Sequence, residues 1–255
     1  MGRVTVLANQ KGGVGKTTVT HALVTGLTMR GKKALAIDTD HQGNLSLTMK
    51  ADATKHSFYD VMRGSVKIKD AIQHVEQGDL IQSNLNLSSA DIEFSEFGRE
   101  YILSEALADI KQEYDYILID TPPSLGVITI NALIAADDVI IPMNTELFSL
   151  QGLEQLYSNI LTIRKRANSQ LKIAGLLVSR IKKNTVIGKD LNEDIKEKAL
   201  EMGTKAYKTV IRDCINISEA QCLQTSIFQA AKKNNGMDDY LAFIDEYIEE
   251  GNANG

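Results

Sequence analysis

The stretch NQKGGVGKTT, Asn9 to Thr18, constrains this chain more than any other. Gly12, Gly13 and Gly15 crowd together, and Lys16, Thr17 and Thr18 follow directly. Ahead of them RVTVLAN (3–9) is a β-branched run that reads as a strand. Behind them KTTVTHALVTGLTMR (16–30) reads as a helix closed by Gly31. Strand, glycine loop and helix together separate a phosphate-binding loop from a chance match. The glycines let backbone N–H groups turn inward as an anion nest, and the helix aims its positive end at the same place. Lys16 is expected on the β- and γ-phosphates of a nucleotide and the Thr17 hydroxyl on Mg²⁺, with Gly12, Gly13, Val14, Gly15 and Thr18 completing the cradle. The loop departs from the common G-x-x-x-x-G-K-[ST] pattern in two ways. Gln10 stands where its first glycine belongs, and a second lysine, Lys11, occupies a spacer position.

The rest of the chain alternates in the same manner. KALAID (33–38), YDYILID (114–120), DVIIPMN (138–144), KIAGLLVSRI (172–181) and YKTVI (207–211) read as strands. The near-continuous apolar run at 114–120 is that of a strand covered on both faces. Helices are expected over REYILSEALADIKQ, VITINALIAAD, 149–166, KDLNEDIKEKALEMG, 217–225 and 237–250. In the mixed segment between, SFYDVMRG and IKDAIQHVEQ read as short helices and DLIQS as a brief strand. Such βαβ alternation implies an α/β fold, with a doubly wound, mostly parallel sheet flanked by helices. With no linker, repeat or low-complexity stretch, residues 1–255 are expected to form one P-loop NTPase-like domain, and 41–98 to leave the core sheet as an excursion.

Two further stretches point to the same site. AIDTDHQGN delivers Asp38 and Asp40 at the end of one strand, and YILIDTPPS ends another with Asp120. Ligands of open α/β sheets bind beyond the carboxyl ends of the strands, so all three carboxylates converge on the glycine loop. Asp120 suits a role holding Mg²⁺ through its water shell, with Asp38 and Thr17 completing the candidate metal set. Asp40 is the candidate for orienting the attacking water.

KGGVGKTT, IDTDHQGN and DTPPSLGVITINAL resemble the deviant Walker A, A′ and B motifs of the ParA/Soj partition ATPases, within the wider MinD/ParA class. The resemblance continues through IPMNTELFSLQGLEQL, AGLLVSRI and KTVIRDCINISEAQ and so covers nearly the whole chain, in its short form without an N-terminal helix-turn-helix. It implies that Lys11 matches the signature lysine, which reaches the ATP of a partner subunit, and that Gly12 lies where two subunits approach. Two ATPs would then be sandwiched in a homodimer that hydrolysis separates. It further implies non-specific DNA binding in the ATP state, a ParB-like adaptor that stimulates a weak ATPase, and a cytoplasmic, nucleoid-associated protein. The alternatives with the same pattern are a MinD-like positioning ATPase and a ParA-like regulator of replication or conjugation that does not act through DNA.

The chain departs from the family at His41, where proline is usual and a solvated loop histidine is expected. It departs again at Arg212, where proline is common, and at Asp213 and Asn216, where arginine is. Arg212 is nevertheless a candidate for the nucleotide pocket. With Lys182 and Lys183 it is also a candidate substitute DNA patch.

Composition narrows the alternatives. The net charge of −5 means that any DNA affinity comes from a local patch and not the global field. Trp is absent and aromatics make up 5%, which argues against a base-stacking platform. No apolar run approaches the ~20 residues of a membrane span. The amphipathic tail MDDYLAFIDEYIEEGNANG carries only acidic charges, which anionic lipid would repel. It is expected to dock as a core helix, and no membrane partner is expected. Cys214 and Cys222 fit neither a C-x-x-C pair nor a zinc knuckle and lie far from DTPPS, which argues against an iron–sulfur carrier.

Overall fold

The seven strands of this computed structural model assemble in the order β3-β4-β2-β5-β1-β6-β7. The structure describes residues 2–144, 149–181, 186–229 and 235–253. The strands are β1 (Arg3–Leu7), β2 (Ala34–Asp38), β3 (Ile72–Val75), β4 (Gly78–Ile81), β5 (Tyr116–Asp120), β6 (Asp138–Met143) and β7 (Lys172–Val178). All neighbours are parallel except β3 and β4, which form an antiparallel pair at one edge. β2 and β5 run in register from Ala34 opposite Tyr116 to Asp38 opposite Asp120.

Helices cover both faces, as expected of a doubly wound sheet. They are α1 (Lys16–Met29), α2 (Asn44–Thr48), α3 (Phe58–Met62), α4 (Ala90–Glu93), α5 (Ile102–Ala108), α6 (Val127–Ala135), α7 (Ser149–Arg166), α8 (Val186–Glu201), α9 (Ile215–Cys222) and α10 (Asn235–Ala253). One core layer joins Leu103, Leu107, Leu133, Leu156, Ile160 and Ile195 to the sheet. The other joins Val19, Leu23 and Leu27 of α1 to Phe243, Ile244 and Tyr247 of α10. α10 is thus a docked core helix, and the Tyr247 hydroxyl lies 2.7 Å from Thr5 Oγ1 inside the layer. Among the described residues no helix is long and apolar enough to cross a membrane.

Three expectations are corrected. Segment 41–98 does not leave the sheet entirely, because β3 and β4 lie within it and β4 pairs directly with β2. Residues 68–77 do not form one helix. A single 3-10 turn at Ile68–Ala71 gives way to β3. Ile68, Ala71, Ile72 and Val75 fit the helical period, but pairing across the hairpin and onto β2 overrides that local pattern. The strand expected at 207–211 is also not formed. Ala206 bridges to Leu176 of β7 and Arg212 to Ile181 just beyond it, and the N–H groups of Tyr207 and Ile211 bond to Leu176 and Val178. Between them, Glu246 of α10 takes the N–H groups of Lys208 and Thr209 at 2.8 and 3.0 Å and withdraws the middle from the ladder.

Candidate functional site

The glycine loop leaves the carboxyl end of β1 and enters α1. Gly13 (φ 74°) and Gly15 (φ 92°) occupy the left-handed region that other residues disfavour, which is why the turn takes glycine. Asn9 shapes its start. Buried behind the loop, it donates to the Pro142 carbonyl at 2.7 Å and accepts from the Lys11 N–H at 2.9 Å. Gly12 is exposed, and a Cβ placed there would meet no atom within 4 Å. The chain's own packing therefore does not require glycine at that position.

Lys16 is buried, and its ammonium donates to the Asn9 carbonyl at 2.9 Å and approaches that of Lys11 at 3.5 Å. Burial lowers its pKa, while Asp120 and Asp40 nearby pull it back up. Thr18 accepts from Gln221 Nε2 of α9 at 2.9 Å.

The structure brings Asp38, Asp40 and Asp120 together at the strand ends, in three different states. Asp38 is saturated. Its carboxylate accepts from Ser46 N–H (2.8 Å), Ser46 hydroxyl (2.7 Å) and Asp40 N–H (3.2 Å) and so organises the turn after β2. Burial pushes its pKa up to about 6 against those bonds. Asp120 is equally buried, yet neither carboxylate oxygen has a hydrogen-bond partner among the described residues. Burial first, then the charge of Asp38, push its pKa up to about 8, which nearby Thr17 and Lys16 ease. A buried carboxylate without donors calls for a cation. The Asp120 carboxylate and Thr17 hydroxyl are hard oxygen donors of the kind that Mg²⁺ selects, so these residues fit that ion. Asp40 faces the cleft, with its Oδ1 taking the Gln42 N–H at 3.1 Å and lying 3.5 Å from His41 Nδ1.

Around these groups lies a cleft of about 610 Å³, large enough for a nucleotide. Gly12, Gly13, Gly15, Lys16, Thr17 and Thr18 form its floor. Ile211, Ile217, Gln221 and Tyr240 also line it, with Arg212 and both cysteines. Arg212 is in the lining, as expected of a pocket residue, but its guanidinium is held by Asp239 of α10, with Nε 2.6 Å from Oδ2. That pairing raises the Arg212 pKa and offsets its charge locally. Lys182 and Lys183 lie outside the described residues.

Sequence reasoning missed Ser179 and Arg180, at the end of β7. Ser179 donates to the Val14 carbonyl at 2.5 Å, and Arg180 Nη1 to the Gly13 carbonyl at 2.9 Å. The available signal was a polar pair at the carboxyl end of an apolar strand, where ligand sites of such sheets lie.

Comparison with known proteins adds to this geometry. A family model described as an AAA domain matches residues 2–173. The sporulation initiation inhibitor protein Soj of Bacillus subtilis is 37% identical over 98% of this chain and 100% of its own length. The chromosome partitioning protein ParA of Caulobacter vibrioides is 36% identical, covering 96% of this chain and 94% of its own. A crystal structure of cobyrinic acid a,c-diamide synthase from Mycobacterium smegmatis, with bound ADP and magnesium, superposes with a TM-score of 0.85 at 30% identity. It covers 100% of this chain and 97% of that one.

Proposed function

The chain belongs to the ParA/Soj-type P-loop ATPases, and from that premise we propose that it couples ATP hydrolysis to dimerisation and to non-specific DNA binding during partition. The observation that carries the reading is the buried, donorless Asp120 carboxylate beside Lys16, beneath a glycine nest. Such a carboxylate is costly unless a cation accompanies the nucleotide.

ATP and Mg²⁺ are the cofactors of this partition-type ATPase. When bound, Mg²⁺ neutralises phosphate charge; Thr17 and Asp120 are the residues that would hold it, with Asp38 fixing the turn beside them. Lys16 steadies the β- and γ-phosphates. Asp40, at the cleft, orients the attacking water and takes its proton. Lys11 serves the partner subunit's nucleotide in a sandwich dimer. The unconstrained, exposed Gly12 supports that arrangement, since glycine there leaves room for a second subunit.

DNA binding is assigned to the ATP dimer, through Lys182 and Lys183; Arg212, the third candidate, is paired with Asp239 and contributes little. A ParB-like adaptor raises a weak basal ATPase, and the ATP form associates with the nucleoid. The buried apolar face of α10 supports a non-membrane matrix.

The test is sedimentation of the protein with Mg²⁺ and a non-hydrolysable ATP analogue, with and without duplex DNA. Dimers that bind DNA only with nucleotide are expected. A monomer under all conditions would overturn the dimer assignment, and dimers indifferent to DNA would overturn the DNA assignment.

A further inference from the structure

An anion nest works only if successive peptide units are turned the right way. Each peptide is planar and trans, so its N–H points opposite to the preceding carbonyl. Whatever holds the carbonyl of Gly13 therefore sets the aim of the Val14 N–H. Whatever holds the carbonyl of Val14 sets the aim of the Gly15 N–H. In this fold both carbonyls are held from one place, the end of β7. Ser179, fully buried, donates its hydroxyl to Val14, and Arg180 donates Nη1 to Gly13.

Two features mark this as built. Ser179 and Arg180 are adjacent in sequence, just past the end of β7. They serve adjacent carbonyls with Arg180 at φ 57°, a left-handed conformation that a non-glycine residue avoids. An outlier of this kind persists where the surroundings hold it, and such positions cluster at functional sites. In addition, the other edge of the guanidinium faces Asp213, with Nε 3.4 Å from Oδ1. Asp213 also lines the cleft. One side chain therefore joins the glycine loop to a second lining residue.

We propose that Ser179 and Arg180 are positioning residues for the phosphate loop. They turn the Gly13 and Val14 carbonyls away from the cleft so that the following N–H groups face the phosphates. Arg180 acts here through the loop backbone and not by touching the reacting atoms. The proposal rests on the cleft being the nucleotide site.

The experiment measures kcat and KM for MgATP, and affinity for a non-hydrolysable analogue, in Arg180→Ala, Arg180→Lys, Ser179→Ala and Lys16→Ala. Arg180→Ala is expected to raise KM about tenfold while kcat stays within about threefold. Arg180→Lys returns one donor and recovers most of the loss. The defect persists at high ionic strength, because the aim of a peptide is not screened, whereas simple attraction between Arg180 and phosphate would be. An unchanged KM in Arg180→Ala, or a defect that vanishes in high salt, overturns the proposal. Lys16→Ala separates the two levels. If it binds the analogue normally, the nucleotide-site reading itself fails. If it is blind to the analogue while Arg180→Ala is normal, only the positioning role fails. Ser179→Ala is scored only where its melting temperature matches the wild type. Arg180 is half-exposed, so its variants decide the matter in either case.

Discussion

Asp38 and Asp120 stand opposite each other at the carboxyl ends of β2 and β5, two buried carboxylates in register, one fully hydrogen-bonded and the other without a donor. The asymmetry predicts opposite effects of amide substitution. Asp120→Asn replaces a carboxyl whose ionised form is disfavoured by burial and by Asp38 with a neutral amide. It should stabilise the metal-free protein by roughly 1–2 kcal/mol, a rise of about 2–4 °C in melting temperature per kcal/mol. It should also abolish the further stabilisation that MgATP gives the wild type. Asp38→Asn puts an amide donor against the Ser46 N–H and should destabilise. Thermal melts with and without MgATP measure both, and an Asp120→Asn variant still stabilised by MgATP would remove Asp120 from the metal site.

The two lysines of the loop should separate cleanly. Lys16→Ala deletes the buried ammonium at the base of the nest and should eliminate ATP binding. Lys11→Ala should bind ATP as a monomer yet fail to form ATP-dependent dimers. Sedimentation velocity with a non-hydrolysable analogue distinguishes them. Normal dimers in the Lys11 variant would be incompatible with a trans-acting role.

Asp40→Asn keeps an oxygen for the Gln42 N–H, so the turn survives, but it removes the base. A loss of roughly 10²–10⁴ in kcat is expected with little change in KM, together with accumulation of the ATP-bound dimer. Wild-type turnover in this variant would shift the assignment to another carboxylate.

His21, in α1 and away from the cleft, sets a pH dependence. It is buried, with Nε2 2.5 Å from Gln77 Oε1, and burial holds its pKa below the ordinary value of 6.5 despite that bond. The unfolded chain therefore binds the proton first. This contribution to stability is complete above the ordinary histidine pKa and declines as pH falls through that value toward the folded one, by at most about 1.4 kcal/mol per pH unit. Melting temperatures across this range should fall more steeply for the wild type than for His21→Gln. Parallel curves would show that His21 does not titrate on unfolding.

Arg212 is bound to Asp239, so its charge is spent within the fold. Lys182→Ala/Lys183→Ala should therefore weaken ATP-dependent DNA binding and reduce the salt slope by up to about 1.8, at roughly 0.9 per phosphate contact. Arg212→Ala should change the slope little. Titrations at several salt concentrations report both, and a slope carried by Arg212 alone would reverse the assignment.

What the sequence determined by itself is whatever depends on near neighbours along the chain. Gly13 and Gly15 can turn left-handed at no steric cost, and the run into Lys16 and Thr17 is local. The apolar runs ending in Asp38 and Asp120 are strands by composition, and strand ends of an α/β sheet face the ligand, so the floor of the site was legible. Tertiary structure decided the rest, because the same local pattern admitted more than one partner. Residues 72–75 carried a helical period until β4 offered a ladder. Residues 207–211 looked like a strand until Glu246 took two of their N–H groups. Nothing near Asp120 in the chain shows that its oxygens lack donors while those of Asp38 have three. That difference lies in how the loops close over each strand end. The carbonyls of Gly13 and Val14 are held by residues 165 to 167 positions away. No local window contains such a bond, and it exists only once β1, β6 and β7 lie side by side.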